Sequence, residues 1–468
     1  MVHRPGLRRH PVPRRAPLPP RTPGPPPPRP PPAGRHPVTV SYSPAHEDAL
    51  APVDPARWPD VARPPRASAL RTAVAERILG RAFARLPLRV RHGNGERPVP
   101  GVPRQAGALP TLILHDAEAF HRRIAADGLI GFGESYMAGE WDSDDLVGAL
   151  TVLAVHVDDL VPAPLRKLRD AWVHRRPEQQ LNTPEGAREN IHRHYDLSNE
   201  LFTLFLDRSM SYSSAVFAAF PASPVTFTAA QHRKIDRLLD LADVGPGTRL
   251  LEIGTGWGEL AIRAAARGAR VRTVTLSAEQ RDLARERIAA AGLGDRVTVE
   301  LRDYRQVEGS FDAVVSVEMI EAVGAEYWPV YFAALRRLLA PGGRVALQAI
   351  TMPHERMLRT ARTHTWISKY VFPGGLIPSR EAIARESAAA GLRTVSDTGF
   401  GDHYAETLRL WREEFDRRAD AVAALGFDRT FRRMWELYLG YSEAGFRSRY
   451  LDVRQLLLTA DHDPREPR

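Results

Sequence analysis

The stretch RLLEIGTGWGELAIRAA, residues 249–265, constrains the fold more than any other part of the chain. Leu250, Leu251 and Ile253 suit a strand covered on both faces, as strands of parallel sheets are. Gly254, Gly256 and Gly258 follow, and ELAIRAA then opens a helix. A backbone without Cβ atoms can turn sharply and lie close to a bound molecule. Glu252 stands at the strand's C-terminal end, where open α/β sheets place their ligands. A loop that cradles phosphate gains nothing from a carboxylate, so the pattern favours a ligand with free hydroxyls or a positive centre.

The surrounding chain extends the same pattern. Strand candidates lie at 249–254, 270–276, 296–301, 311–317 and 343–350, with helices at 258–267, 278–291 and 326–339 between them. This alternation predicts a doubly wound parallel α/β sheet. An amphipathic helix at 226–244 precedes it, and two long helical patterns, 404–424 and 428–448, follow. Upstream, residues 67–176 form a smaller α+β region, with a helix at 69–86, short strands in LPLRVRHG and TLILHD, and a helix closed by Gly128. GLIGFGESYMAGEWDSDDL (128–146) is too rich in glycine to read as one element, and 147–176 looks helical again. A linker at 177–186 leads into the main domain, 187–460. Residues 1–66 are Pro/Arg-rich and are expected to be disordered, because they cannot bury enough apolar area to offset their ordering entropy.

Composition narrows the function classes. The net charge of +9 suggests nucleic-acid binding, but residues 1–46 hold eight arginines and no acid, which leaves the remainder close to neutral. With no basic body, no nucleic-acid partner is expected. The chain has no cysteine, which removes disulfides, thiolate metal sites and cysteine nucleophiles, and no metal site is implied. No run approaches the roughly 18 apolar residues of a membrane span, and no secretory h-region is visible, so a cytoplasmic location is the expectation.

Two further segments extend the ligand-binding edge. VTLSAEQ ends the second strand, where Thr275, Leu276, Ser277 and Gln280 face the position of a ribose and adenine; Ser277 with Gln280 also reads as a helix-capping box. LRDYR ends the third strand, where Asp303 could accept from an adenine amino group and Tyr304 could flank the ring; a solvated loop acid is the alternative. With Glu252, this edge favours S-adenosylmethionine over a nucleotide phosphate.

HYDLSNELFTLFLDRSMSYSSAVF (194–217), SVEMIEAVG (316–324), WISKYVFPGGLIPS (366–379), HYAETLRLW (403–411) and EAGFRSRYL (443–451) surround the cofactor strand in that order, with GFGESYMAGEWD upstream. In these motifs the chain resembles the cyclopropane-fatty-acyl-phospholipid synthases, in their long two-domain form, over roughly residues 68–460. The resemblance implies a Rossmann-like class I methyltransferase that transfers a methyl group from S-adenosylmethionine to a cis double bond of a phospholipid acyl chain and closes a cyclopropane ring. It also implies a bound bicarbonate as base, peripheral attachment to the membrane surface and a homodimer.

Carried over position by position, the resemblance assigns Glu321, Tyr404 and the main chain of Ile350 to the anion site. Ser214 stands where the family has cysteine, Gln348 where it has histidine, and Ala322 replaces the histidine after the glutamate. Serine and glutamine can still donate hydrogen bonds, so Ser214 and Gln348 complete the expected catalytic set, with Tyr212 and Ser213 beside the cofactor. His194, Tyr195 and Asp196 are expected at the cofactor lid, and Lys369, Arg447 and Arg449 are candidates for a headgroup phosphate. Taken alone, Glu321 could serve only a helix dipole and Tyr404 only packing. The altered anion site keeps open methyl transfer without ring closure, giving a methylene- or methyl-branched chain; a non-catalytic lipid- or cofactor-binding protein is the third reading.

Overall fold

The computed structural model describes residues 52–93, 107–157, 198–361 and 363–460. Its larger sheet has seven strands: β4 (Arg249–Ile253), β5 (Arg270–Thr275), β6 (Val297–Leu301), β7 (Phe311–Val317), β8 (Leu339–Thr351), β9 (Leu392–Gly399) and β10 (Asp452–Ala460). Their order is β6-β5-β4-β7-β8-β10-β9. β4 to β8 run parallel, and β10 is antiparallel to both its neighbours. The order reverses between β4 and β7, which places the ligand crevice at their C-terminal ends.

Side chains alternate across the sheet with the two-residue period of a strand. Leu251, Ile253 and Val314 pack with Trp328, Tyr331 and Leu335 on one face. Leu250, Val271 and Val315 pack with Ile235, Leu238, Leu260 and Ile288 on the other. The predicted helices are present as Phe227–Leu241, Glu259–Ala266, Ala278–Ala290 and Trp328–Leu338, and the two C-terminal patterns as Gly401–Arg417 with Ala419–Ala424, and Arg429–Arg447. β9 and β10 were not expected. β10 carries a short LLL run of the kind that periodicity cannot assign to strand or helix.

The first region contains the three-stranded sheet β1 (Arg89–His92), β2 (Thr111–Leu114) and β3 (Trp141–Ser143). The glycine-rich segment that resisted assignment is largely a helix, Leu129–Ala138. Its glycines are there for close packing: a Cβ at Gly133 would lie 2.3 Å from the Trp366 ring, and one at Gly131 would lie 2.1 Å from the Arg123 carbonyl oxygen. This region shares one apolar core with the C-terminal helices, including Phe120, Trp141, Phe202, Phe205, Trp411 and Trp435. Phe202, Phe205 and Phe217 are all buried in this core.

The boundary of the N-terminal tail needs correction. Residues 1–51 and the segment 158–197, with His194, Tyr195 and Asp196, lie outside the described residues. Residues 52–66, however, are folded against the body. Val61 is buried, Trp58 Nε1 donates to Asp428, and Arg123 donates to the carbonyl oxygens of Asp60 (2.9 Å) and Val61 (2.6 Å). The same guanidinium pairs with Glu140 through Nε at 2.8 and 3.0 Å, with Glu134 at 3.8 Å. A buried cation with carboxylate and carbonyl acceptors thus ties down a segment whose composition alone suggested disorder. Arg123→Met leaves the Glu140 carboxylate without its cation, while Glu134 keeps Lys369. The free energy of unfolding is expected to fall by about 3–5 kcal/mol, read from the shift in urea midpoint.

Candidate active site

The loop after β4 and the loop after β7 meet at the crevice. Gly254, Gly256 and Gly258 all have positive φ, the left-handed region that favours glycine. A Cβ at Gly254 would lie 2.7 Å from Met319 Cγ. Glu252 is buried, its Oε2 has no partner, and burial pushes its carboxyl up to about 8. An orphaned carboxyl oxygen beside a bare glycine turn suits a ligand that brings hydroxyl donors. S-adenosylmethionine, with its ribose diol, meets that requirement.

The neighbouring edge is ordered by its own side chains. Ser277 Oγ accepts from Gln280 N at 3.1 Å and caps the helix Ala278–Ala290, but the capping box stays open because Ser277 N donates to Thr275 Oγ1 instead of to Gln280. Thr275 Oγ1 donates to Gln280 Oε1 at 2.9 Å, and Leu276 beside it is half-buried. Asp303 is buried rather than a solvated loop acid, and both its oxygens pair with Arg305, at 2.9 and 2.6 Å. An adenine contact would therefore share a bidentate ion pair. Tyr304 packs edge-on against Tyr331, and its buried hydroxyl lacks a partner.

The expected anion site assembles, but around a residue that the sequence reading passed over. Glu318, immediately after β7, accepts from Ser214 N (3.1 Å) and Gln348 Nε2 (2.8 Å) on Oε1, and from the Tyr404 hydroxyl (2.7 Å) on Oε2. Its backbone is left-handed, with φ of 51°. That conformation costs an L-residue roughly 1–2 kcal/mol. Burial pushes the Glu318 carboxyl up, and the Tyr404, Gln348 and Ser214 hydrogen bonds and the Lys234 charge oppose this.

Glu321 lies one helical turn on, at the start of the short helix Ile320–Val323. Its Oε1 accepts from Ile350 N, and its buried Oε2 has no partner. Burial, reinforced by Glu318, pushes its carboxyl up to about 8. Tyr404 stacks on Phe446, and burial followed by the Glu318 charge moves its phenol well above the ordinary range.

The donor set therefore does not fit a bound bicarbonate. Ser214 N, Gln348 Nε2 and the Tyr404 hydroxyl are engaged by Glu318, and Ile350 N by Glu321. The Ser214 hydroxyl, expected to replace a thiol, instead donates to the Ala215 carbonyl. A further anion would sit beside two acidic side chains. Tyr212 and Ser213 line the same loop: the Tyr212 hydroxyl meets that of Tyr438 at 2.7 Å, and Ser213 Oγ accepts from Lys234 Nζ at 2.6 Å. Two of the expected headgroup cations are engaged elsewhere. Lys369 pairs with Asp60 and Glu134, and Arg447 pairs with Glu406 and Glu443. The signal for Glu318 was present in SVEMIEAVG, where two acids stand three residues apart at a strand's C-terminal end.

Sheet order, glycine turn and orphaned Glu252 together define a class I S-adenosylmethionine-dependent methyltransferase. Comparison with known proteins makes the assignment specific: residues 182–456 match the mycolic acid cyclopropane synthetase family, and the chain belongs to it. It is 56% identical over 421 residues to the tuberculostearic acid methyltransferase UfaA1 of Mycobacterium tuberculosis, covering 88% of this chain and 98% of the relative. It is 33% identical over 359 residues to the cyclopropane-fatty-acyl-phospholipid synthase of Escherichia coli K12, covering 75% and 89%. Among solved structures it is similar to the cyclopropane synthase MmaA2 of M. tuberculosis, with a TM-score of 0.53 and 30% identity over 58% of this chain and 97% of the other. The mycolic acid cyclopropane synthase CmaA1, in a complex with SAH and CTAB, gives a TM-score of 0.53 and 28% identity over 60% and 98%. The protein is thus a lipid-modifying enzyme that uses S-adenosylmethionine. Among the described residues no helix is long and apolar enough to cross a membrane.

Glu252→Ala removes the unpartnered buried oxygen that suits a ribose diol. Isothermal titration with S-adenosylmethionine is expected to show Kd raised by about 10- to 100-fold, the equivalent of roughly 1.4–3 kcal/mol.

Proposed function

We propose that this enzyme methylates the cis double bond of an unsaturated fatty acyl chain, carried by a membrane phospholipid, and that Glu318 is the base that completes the reaction. The observation that carries this reading is the Glu318 carboxylate seated on Ser214 N, Gln348 Nε2 and the Tyr404 hydroxyl. The product it favours is methylene-branched, a reading supported by the 56% identity to a tuberculostearic acid methyltransferase.

Bound on the Gly254–Gly258 turn, S-adenosylmethionine supplies an electrophilic methyl group on a sulfonium. An isolated alkene is a weak nucleophile, so alignment and exclusion of water must provide much of the rate. The alkene's π pair forms the new C–C bond as the C–S bond breaks, and the other alkene carbon becomes cationic. A hydride shift from the methyl-bearing carbon moves the cation next to the new methyl. Loss of a methyl proton to Glu318 then gives a C=CH2 group. Because Glu318 is held by three donors, it is presented as a proton acceptor rather than as a free nucleophile that would trap the cation. Glu321, with a raised proton affinity, stays protonated near neutral pH and adds no second negative charge. Conversion of the methylene to a methyl branch requires a separate two-electron reduction.

Ring closure, the outcome implied by the sequence resemblance, would use the same base on the unrearranged cation and is supported by the 33% identity to the E. coli synthase. Ozonolysis of lipids from a host expressing the enzyme separates the two: a methylene branch yields a mid-chain ketone, and a cyclopropane survives. The ketone is the expected result.

Glu318→Gln is expected to lower kcat by about 10²- to 10⁴-fold, as loss of a general base does. Glu318→Gly relieves the left-handed strain and leaves the three donors free. Its activity is expected to return partly on adding bicarbonate, whereas wild-type activity does not respond. Full activity in Glu318→Gln would overturn the base assignment.

The pH dependence follows from the sign of the shift. Burial raises the Glu318 pKa, and only the ionised form accepts a proton. The kcat of the wild-type enzyme is therefore expected to fall as pH is lowered, with an acid limb above the ordinary carboxylate range, measured with saturating substrates.

A further inference from the structure

The helix Phe227–Leu241 packs an apolar stripe of Phe227, Ala230, Ile235, Leu238 and Leu239 against the body, yet two polar residues, Gln231 and Lys234, are buried in that stripe. An ammonium group is costly to bury without anionic or hydrogen-bonding partners. A leucine at this position would satisfy packing alone. Both polar side chains turn to the loop that holds Glu318. Gln231 Nε2 donates to the carbonyls of Ser211 (3.3 Å) and Ser213 (2.9 Å), and Lys234 Nζ donates to Ser213 Oγ at 2.6 Å. The next residue, Ser214, gives its N–H to Glu318.

A second path joins the same lysine to the same carboxylate. Gln455 Nε2, on β10, donates to the Lys234 carbonyl (3.1 Å) and to Gln348 Oε1 (3.0 Å), and Gln348 Nε2 donates to Glu318. The charged and titratable groups around this centre come from several packed elements. They are Lys234 on its helix, Glu252 on β4, Asp207 before the loop, Glu321 after β7, Tyr404 on Gly401–Arg417 and Tyr438 on Arg429–Arg447. Lys234 is the cation of that set.

We propose that Lys234 is a positioning residue for the transfer reaction: its ammonium anchors the 211–214 loop through Ser213, and its charge keeps Glu318 ionised and ready to take the proton. This role rests on Glu318 being the base. It assigns the lysine no contact with the lipid or with the reacting atoms. The charge works in both directions, since Glu318, Asp207 and Glu252 hold up the proton affinity of an ammonium that burial alone would lower further.

The test compares kcat–pH profiles of wild type, Lys234→Gln and Glu318→Gln at saturating S-adenosylmethionine. Lys234→Gln keeps a donor for Ser213 and removes the charge. Its acid limb is expected to move up by about one pH unit, giving roughly tenfold lower kcat on that limb and recovery as the pH is raised. A role in packing alone would lower kcat equally at every pH or lower the unfolding midpoint, and would leave the limb in place. Lys234→Met, a neutral chain of similar length, gives the same reading if the amide does not pack. An unmoved acid limb in a folded Lys234 variant, with Glu318→Gln inactive, overturns the lysine proposal and leaves the base assignment standing. Retained activity in Glu318→Gln overturns both.

Discussion

The site depends on one buried carboxylate and the three donors that meet it. A carboxylate taken out of water must be hydrogen-bonded or become protonated. Glu318 meets this demand with donors from three separate pieces of chain: the loop 211–214, strand β8 and the helix Gly401–Arg417. Hydrogen bonds to a charged group contribute roughly 1.5–3 kcal/mol each, enough together to offset the left-handed backbone at Glu318. Segments nearly 200 residues apart in sequence are thereby registered on one atom group. The register that serves packing is also the one that aims this carboxylate.

The second acid, Glu321, shows how the same surroundings can hold two carboxyls in different states. Close carboxyls in a dry site do not both ionise readily. Glu318 receives three donors and the field of Lys234, whereas Glu321 receives the Ile350 N–H and has one oxygen without a partner. The hydrogen bonding therefore favours the charged form at Glu318 over Glu321. In the proposed reaction a single charge would stabilise the sulfonium and the developing carbocation, and a neutral second acid would avoid repelling the first.

The sheet was legible in the sequence because a strand buried on both faces, a glycine turn and a helix follow one another within 17 residues, 249–265. The helices were legible for the same reason, through their apolar periodicity. The misses have specific causes. β10 has a burial pattern set by neighbours on both sides, which its own residues do not announce. The helix Leu129–Ala138 is disguised by Gly131 and Gly133, which the sequence needs for close approach to Arg123 and Trp366. Residues 52–66 read as tail because their order comes from Arg123, a residue far along the chain. In the site, Glu321, Tyr404, Ser214, Gln348 and Ile350 do converge, but resemblance alone assigned their donors to an external anion. That the chain supplies its own carboxylate became visible only when the φ of 51° at Glu318 turned its side chain back onto those donors.

One route from the first region to this site runs through the short helix Trp366–Tyr370. Gly133 receives the Trp366 indole, and Glu134 accepts from Lys369 (2.6 Å) and from the Tyr370 hydroxyl (2.8 Å). Immediately after this helix the chain turns back to the two buried acids, where Leu376 N donates to the Glu321 carbonyl at 2.8 Å. A Cβ at Gly375 would come 3.2 Å from that same carbonyl, so the chain here lies flush against the acid's own backbone. The Glu134 carboxylate thus fixes one end of a segment whose other end fixes Glu321. This explains why an acid in a glycine-rich helix, far from the cofactor strand in sequence, is buried and paired with a lysine. The first region is mechanically continuous with the loop that carries Glu318 and Glu321, so its packing bears on their geometry.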